Sequence, residues 1–172
     1  MKRSLIFLYG VFAYAFFFVT FLYSIGFIGN IGVPKGIDSA PVMPLGISLL
    51  VNLGLLTVFA VQHSGMARPA FKRWLTRFIP ASAERSTYVL ASTICLAALM
   101  AFWAPLGGVI WDVTAPWAAS NLTRLYFASW GLLLYATFLI DHFDLFGLRQ
   151  VFYALRKKDA PALQFKTRTL YR

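Results

Sequence analysis

Uncharged stretches too long for any amphipathic surface element dominate this chain. From Ser4 to Pro34 there are 31 residues without a charge, from Ser39 to Ala67 there are 29, from Ser86 to Trp111 there are 26, and from Leu125 to Ile140 there are 16. A helix rises about 1.5 Å per residue, so about 20 residues cross a hydrocarbon core of about 30 Å. The first three stretches suffice unaided. The fourth reaches 20 residues when extended back to Asn121, and the one charge this adds, Arg124, can snorkel to the interface. The pattern predicts an all-α integral membrane protein of four transmembrane helices, a single membrane domain over 1–172 with spans at about 5–28, 44–63, 86–110 and 121–140.

Composition agrees. Of 172 residues 59% are hydrophobic and 13% charged, against roughly 25% charged in soluble domains. A soluble enzyme, a disordered tail and a secreted disulfide scaffold are excluded, the last because Cys95 has no internal partner and reads as a small packing residue. Lys2 and Arg3 before an apolar stretch, with Ala13-Tyr14-Ala15, mimic a signal peptide. The apolar run continues to Ile28, which places that site inside the membrane core and predicts a retained first helix.

The net charge of +10 takes its meaning from position. Lys2 and Arg3 precede span 1. Arg68, Lys72, Arg73, Arg77 and Arg85 lie between spans 2 and 3, and Arg149, Arg156, Lys157, Lys158, Lys166, Arg168 and Arg172 form a basic tail over 149–172. Only Lys35 and Arg124 fall in the other loops. That is the positive-inside pattern of a protein with both termini in the cytoplasm, multi-pass in a bacterial inner membrane. The basic face attracts anionic membrane lipids, and no nucleic acid partner is needed to explain it.

Loop 1, Gly29 to Pro44, carries Gly32, Pro34, Gly36, Pro41 and Pro44 and reads as irregular. Between spans 2 and 3, Phe71, Trp74, Leu75 and Phe78 recur at helical spacing opposite Lys72, Arg73 and Arg77, predicting a short interfacial amphipathic helix at about 69–79. Trp103, Trp111 and Trp117 fit an aromatic belt at the outer face.

This topology puts polar chemistry on one side. Span 2 ends in Gln62-His63-Ser64 followed by Arg68; span 3 opens with Glu84-Arg85-Ser86-Thr87-Tyr88; span 4 ends in Asp141-His142-Phe143-Asp144, followed by Arg149-Gln150. Both histidines and four of the six acids, Glu84, Asp141, Asp144 and Asp159, are there. Ionisable groups bordering membrane helices are costly and mark functional sites. Each also has a plainer reading. His63 and His142 can complement helix ends, Glu84 a helix start, and Arg68 and Arg149 lipid headgroups. No His-x-x-Glu or His-x-x-x-His spacing supports a metal, so none is expected; a haem held by the two histidines would show a Soret band.

Gln62-His63-Ser64, Met66-Ala67-Arg68-Pro69, Phe71-Lys72-Arg73-Trp74, Glu84 through Leu90, Asp141 through Val151 and the outer segment Gly26 through Ser39 together resemble the bacterial methanethiol S-methyltransferase family. That family is a branch of the NnrU and isoprenylcysteine carboxyl methyltransferase-like membrane proteins. The resemblance covers nearly the whole chain. It implies methyl transfer from S-adenosylmethionine to methanethiol, a small thiol, giving dimethyl sulfide. It also implies that cofactor binding rests on an Arg-His-Pro-x-Tyr-x-Gly stretch, further membrane helices and a paired-glutamate segment. This sequence stops at Leu170-Tyr171-Arg172, where that stretch is expected to begin, so the cofactor contacts are expected beyond Arg172. The missing C-terminal half, or a homo-oligomer, would have to supply them, and the isolated chain is expected to have little or no activity.

A water-poor site favours reaction of a sulfonium with a thiolate, because both charges disperse. The thiolate needs a base or a cation. His63 or His142 is the expected base, with Asp144 orienting a histidine and Gln62, Arg68 or Arg149 meeting the substrate or stabilising negative charge. The rival reading is a non-catalytic four-helix remnant or a partner-binding subunit.

Overall fold

In hydrocarbon a backbone must satisfy its own hydrogen bonds, which leaves an uncharged run of 20 or so residues only the helix. The computed structural model describes residues 3–158 together with 160 and 161. Lys2, Asp159, Lys166, Arg168 and Arg172 of the charge pattern lie outside the described residues. Those described form seven helices and no strand: α1 Arg3–Gly29, α2 Leu45–Met66, α3 Pro69–Leu75, α4 Ala81–Phe102, α5 Pro116–Ile140, α6 His142–Leu145 and α7 Leu148–Leu155. Helices α1, α2, α4 and α5 are each long and apolar enough to cross a membrane, and the chain is a multi-pass membrane protein.

Helix α4 lies between α1 and α2, and α7 crosses the ends of α1 and α4. The α1 face is lined by Ile6, Gly10, Ala13, Thr20, Ser24 and Phe27, and the α4 face by Ala83, Ser86, Val89, Thr93, Leu99 and Met100. Small residues make up four of the six on α1 and three of the six on α4, which suits helices that associate by close packing rather than by escape from water. Ile6, Ala83 and Val151 form an apolar cluster at the basic end of the bundle, and Phe27, Leu99 and Met100 another at the opposite end. Gly10 admits α7 there: a Cβ on it would stand 2.6 Å from Val151 Cγ2.

Helix α4 differs from the hydropathy span at both ends. It begins at Ala81, so Glu84 and Arg85 belong to its first turns, where a carboxylate suits the helix dipole. It stops at Phe102, short of residue 110, because its continuation is captured by α2. Asn52, buried in mid-span, donates to Ala104 O at 2.7 Å and accepts from Ala104 N at 2.8 Å. Pro105 then has no N–H to extend the helix. At this end Lys35 Nζ donates to Ala101 O and Trp103 Nε1 to Ile37 O, tying loop 1 over the end of α4.

Helix α3 is shorter than the amphipathic pattern suggests, ending at Leu75 instead of about residue 79. The Thr76 hydroxyl bonds to Lys72 O and Arg73 O, competing with the next helical turn. Helix α5 opens with Pro116 at its first position and buries none of its residues. Aromatic side chains hold it to α1: Phe21 meets Trp130 edge to face at 5.4 Å, and the Tyr126 hydroxyl donates to Ile25 O.

Candidate active site

Helix α5 is broken at Asp141, which adopts φ 138, a conformation that L-residues avoid. Holding it there costs on the order of 1–3 kcal/mol. Its carboxylate stabilises the break by accepting from Asp144 N at 3.2 Å, which caps α6, and from Arg149 at 2.7 Å. The single turn of α6 that follows carries His142 against Tyr14 in the middle of α1 and against the C-terminal end of α5.

His142 is 2% exposed. Its ring lies flat on Phe138 at 4.2 Å and is edged by Phe146 at 4.8 Å and Tyr14 at 5.6 Å. Both ring nitrogens are engaged: Nδ1 by Thr137 Oγ1 at 2.7 Å and Nε2 by the Tyr14 hydroxyl at 2.8 Å. The network assigns the tautomer. Thr137 spends its one hydroxyl proton on Leu134 O, at 2.6 Å. Its oxygen therefore accepts from His142 Nδ1–H, which leaves Nε2 bare to accept the Tyr14 O–H. Burial pushes the His142 pKa below its ordinary 6.5, so the ring is neutral and able to take a proton.

The geometry reassigns one sequence expectation. Asp144 does not orient this histidine; among the described residues the ring is held by Tyr14 and Thr137. Residues two apart on a helical turn point about 200° apart, so Asp144, itself buried, cannot face the ring that His142 presents. At the helix break the carboxylate of Asp141 pairs with Arg149.

The other expected residues form a second group on α2 and α4. Gln62 donates to Ser92 Oγ at 3.3 Å and to Met66 Sδ at 3.0 Å, while its Oε1 is buried and unpartnered among the described residues. His63 is exposed, and the Tyr88 hydroxyl reaches both its nitrogens, at 3.1 and 3.0 Å. A phenol equidistant from two nitrogens whose lone pairs diverge sits against the ring, not on either lone pair. Arg68 is exposed at the start of α3.

The two histidines share no partner, but Arg85 spans the gap between the groups. Its Nε donates to Leu145 O on α6 at 2.8 Å, and its guanidinium lies 5.4 Å from the Tyr88 ring centre. Gly147 lets the α6–α7 link settle on α4: it has φ +85, and a Cβ there would stand 2.8 Å from Ser86 N. Tyr14, Thr137, Asp141, Arg85 and Tyr88 thus complete the site without having been singled out as site residues in the sequence. For the last three the signal was available, since they lie within the motif stretches. Tyr14 was hidden among lipid-facing aromatics.

No group of three His, Cys, Asp or Glu residues able to hold a metal is present among the described residues. Two cavities lie away from the histidines. A cavity of about 610 Å³ at the basic end is lined by Arg3, Ser82, Gln150 and Lys157, and one of about 420 Å³ at the opposite end by apolar residues of α1 and loop 1; neither histidine borders either.

Over all 172 residues the chain is 49% identical to the methanethiol S-methyltransferase of Mycobacterium tuberculosis, spanning 70% of that protein. It is 48% identical to that of Pseudomonas sp. strain GM41(2012) over 96% of this chain and 64% of the relative, and 46% identical to that of Crocosphaera subtropica over 99% and 67%. The chain spans roughly two thirds of the length of these curated relatives. Nurim of Bos taurus is 35% identical over 62% of this chain and 43% of its own. No family model and no solved structure matches.

Proposed function

We propose, for a chain that belongs to the methanethiol S-methyltransferase family, that it forms the thiol-binding, proton-accepting part of a membrane S-methyltransferase. The overall reaction would convert methanethiol and S-adenosylmethionine into dimethyl sulfide, S-adenosylhomocysteine and a proton. The donor enters this reading through the family. The chemistry assigned to the described residues concerns the thiol alone.

One observation carries the reading: a buried, neutral His142 whose bare Nε2 accepts the Tyr14 hydroxyl at 2.8 Å. Methanethiol partitions from the bilayer and reaches the aromatic surface of Tyr14, Phe17 and Phe146, where sulfur finds favourable contacts. Its S–H proton passes to the Tyr14 oxygen as the Tyr14 proton passes to His142 Nε2. The thiol becomes the nucleophilic thiolate and the imidazole becomes imidazolium. Arg149 is held by Asp141 at 2.7 Å and would act on the anion only by supporting the α6 turn that carries His142. Gln62, His63 and Arg68 belong to the second group and stand apart from this proton path. Asp144 packs beneath it.

The charge pattern supports a cytoplasmic location for the basic end in a bacterial inner membrane, with both termini inside. There Trp74 and Phe78, 49% and 71% exposed, seat α3 in the interface. The test uses membranes from cells making this sequence joined to the remaining part of a full-length relative, which supplies the cofactor contacts, given methanethiol and S-adenosylmethionine with a deuterated methyl group. Labelled dimethyl sulfide is expected, is lost in His142→Gln and persists in His63→Gln. No labelled product above membranes without the protein would refute the activity, and equal loss in both variants would refute the assignment of the base.

A further inference from the structure

We infer that the cavity at the basic end is a binding site for a phosphate group that carries hydroxyls, as on the headgroup of an anionic phospholipid. This inference does not depend on the methyl-transfer reading. The cavity, about 610 Å³, lies within the size range of ligand sites. Three elements distant in sequence converge on it: Arg3 and Ile6 from the first turns of α1, Ala81 and Ser82 from the first turn of α4, and Gln150, Ala154, Lys157 and Lys158 from α7 and its end. Three cations therefore border one concave volume at the level where the membrane-spanning helices begin. The unpaired N–H groups of the α4 first turn add partial positive charge from the same side.

Two further observations concern the ligand. Gln150 lines the cavity, and its Oε1 is buried with no hydrogen-bond partner among the described residues, while its Nε2 is spent on Asp144 O at 3.2 Å. The Oε1 is closed to solvent, so a turn of the Gln150 side chain into the cavity is what lets a ligand hydroxyl supply the donor it lacks. The lysines, moreover, are held in place by a helix cap. Lys158 N donates to Tyr153 O and Lys157 N to Ala154 O, and Lys157 takes the left-handed conformation, φ 59, that glycine fills in most such caps. Keeping lysine in a glycine position retains a cation on the cavity wall at the expense of backbone comfort.

The test is native mass spectrometry on the full chain in detergent, titrated separately with phosphatidylglycerol, phosphatidylcholine and inorganic phosphate. Phosphatidylglycerol is expected to bind in preference to phosphatidylcholine. A surface cation contributes about 1 kcal/mol, so Arg3→Gln and Lys158→Gln should each weaken binding about fivefold. Lys157→Gly should do the same while leaving helicity intact or improved, which separates binding from folding. Ala154→Leu, which fills the cavity without changing charge, should weaken binding too. Arg73→Gln/Arg77→Gln, which removes two charges away from the cavity, should not. The same variant pattern with inorganic phosphate and no lipid preference would assign the site to free phosphate. Equal weakening by the Arg73/Arg77 double variant, or no selective binding of either probe, would overturn the inference.

Discussion

Replacing Thr137 by valine keeps the shape of the side chain and removes the oxygen that accepts His142 Nδ1–H at 2.7 Å. The ring is 2% exposed, so the abandoned N–H has no water to turn to, and the unsatisfied donor costs about 1–3 kcal/mol. The ring can avoid that cost by moving its proton to Nε2, where it would donate to the Tyr14 oxygen. The tautomer that results cannot accept a proton from Tyr14, and the path from thiol to imidazole closes. General-base steps contribute roughly 10²–10⁴ in rate, and a loss in that range is expected in labelled dimethyl sulfide formation. Thr137→Ser restores the acceptor and should restore most of the rate. The chain has two histidines, so ¹⁵N-histidine NMR of the purified protein reads the tautomer directly once His63→Gln has identified the other signal. If Thr137→Val keeps the proton on Nδ1 and keeps its rate, or if Thr137→Ser fails as badly as valine, the proton path is wrong.

Three further outcomes follow from the same geometry. Burial holds the His142 pKa below 6.5, so the acid limb of the pH–rate profile should lie below that of a free imidazole. The unfolded chain binds the proton first as pH falls below 6.5, so the stability that comes from burying neutral His142 is present above that pH and fades as pH drops toward the folded pKa; acid unfolding of His142→Gln should lack this component. Asn52→Leu leaves the N–H and C=O of Ala104, 2% exposed, without partners at about 1–3 kcal/mol each, and hydrogen exchange at the Ala104 amide should speed up markedly. Gly10→Ala brings a Cβ to 2.6 Å from Val151 Cγ2 and should cost about 1–3 kcal/mol through overpacking. Val151→Ala in the same chain should recover the fraction that stays monodisperse on heating, because the clash is with side-chain atoms alone.

The four long helices were legible because a run without charges is a one-dimensional signal, unaffected by how the helices pack. Their ends were less so. The uncharged run of span 3 starts only at Ser86, yet the helix begins at Ala81, with Glu84 favoured by the dipole and Arg85 by a carbonyl on α6. The truncation of α4 at Phe102 depends on Asn52, a residue 50 positions earlier whose partner no local pattern can name. The site was legible as a neighbourhood and not as a set of contacts. His142 and Arg149 stand out by type, whereas Tyr14 is one aromatic among many in α1 and Thr137 one hydroxyl on a helix that buries nothing. The choice between Asp141 and Asp144 turned on a backbone break at φ 138 that composition does not announce.

That break also explains why the arginine on α4 matters to the histidine. A helix of one turn has few backbone bonds of its own, here Phe146 N to His142 O and Gly147 N to Asp144 O, so α6 leans on its neighbours. Two of its carbonyls are taken by side chains from neighbouring helices: Leu145 O by Arg85 and Asp144 O by Gln150. Its start is fixed by Asp141, which Arg149 anchors in turn. The orientation of His142 is thus set both by groups that touch the ring, Tyr14 and Thr137 by hydrogen bonds and Phe138 and Phe146 by packing, and by groups that fix the turn carrying it. Arg85 acts on the ring through the backbone that carries it. Lysine at this position would keep the charge but lose the directed Nε–H, and a single flexible ammonium cannot both reach Leu145 O and lie against Tyr88. The link between the α2 end and the α6 turn therefore depends on the planar guanidinium, so a disturbance of Tyr88 can reach His142 without any contact between the two histidines.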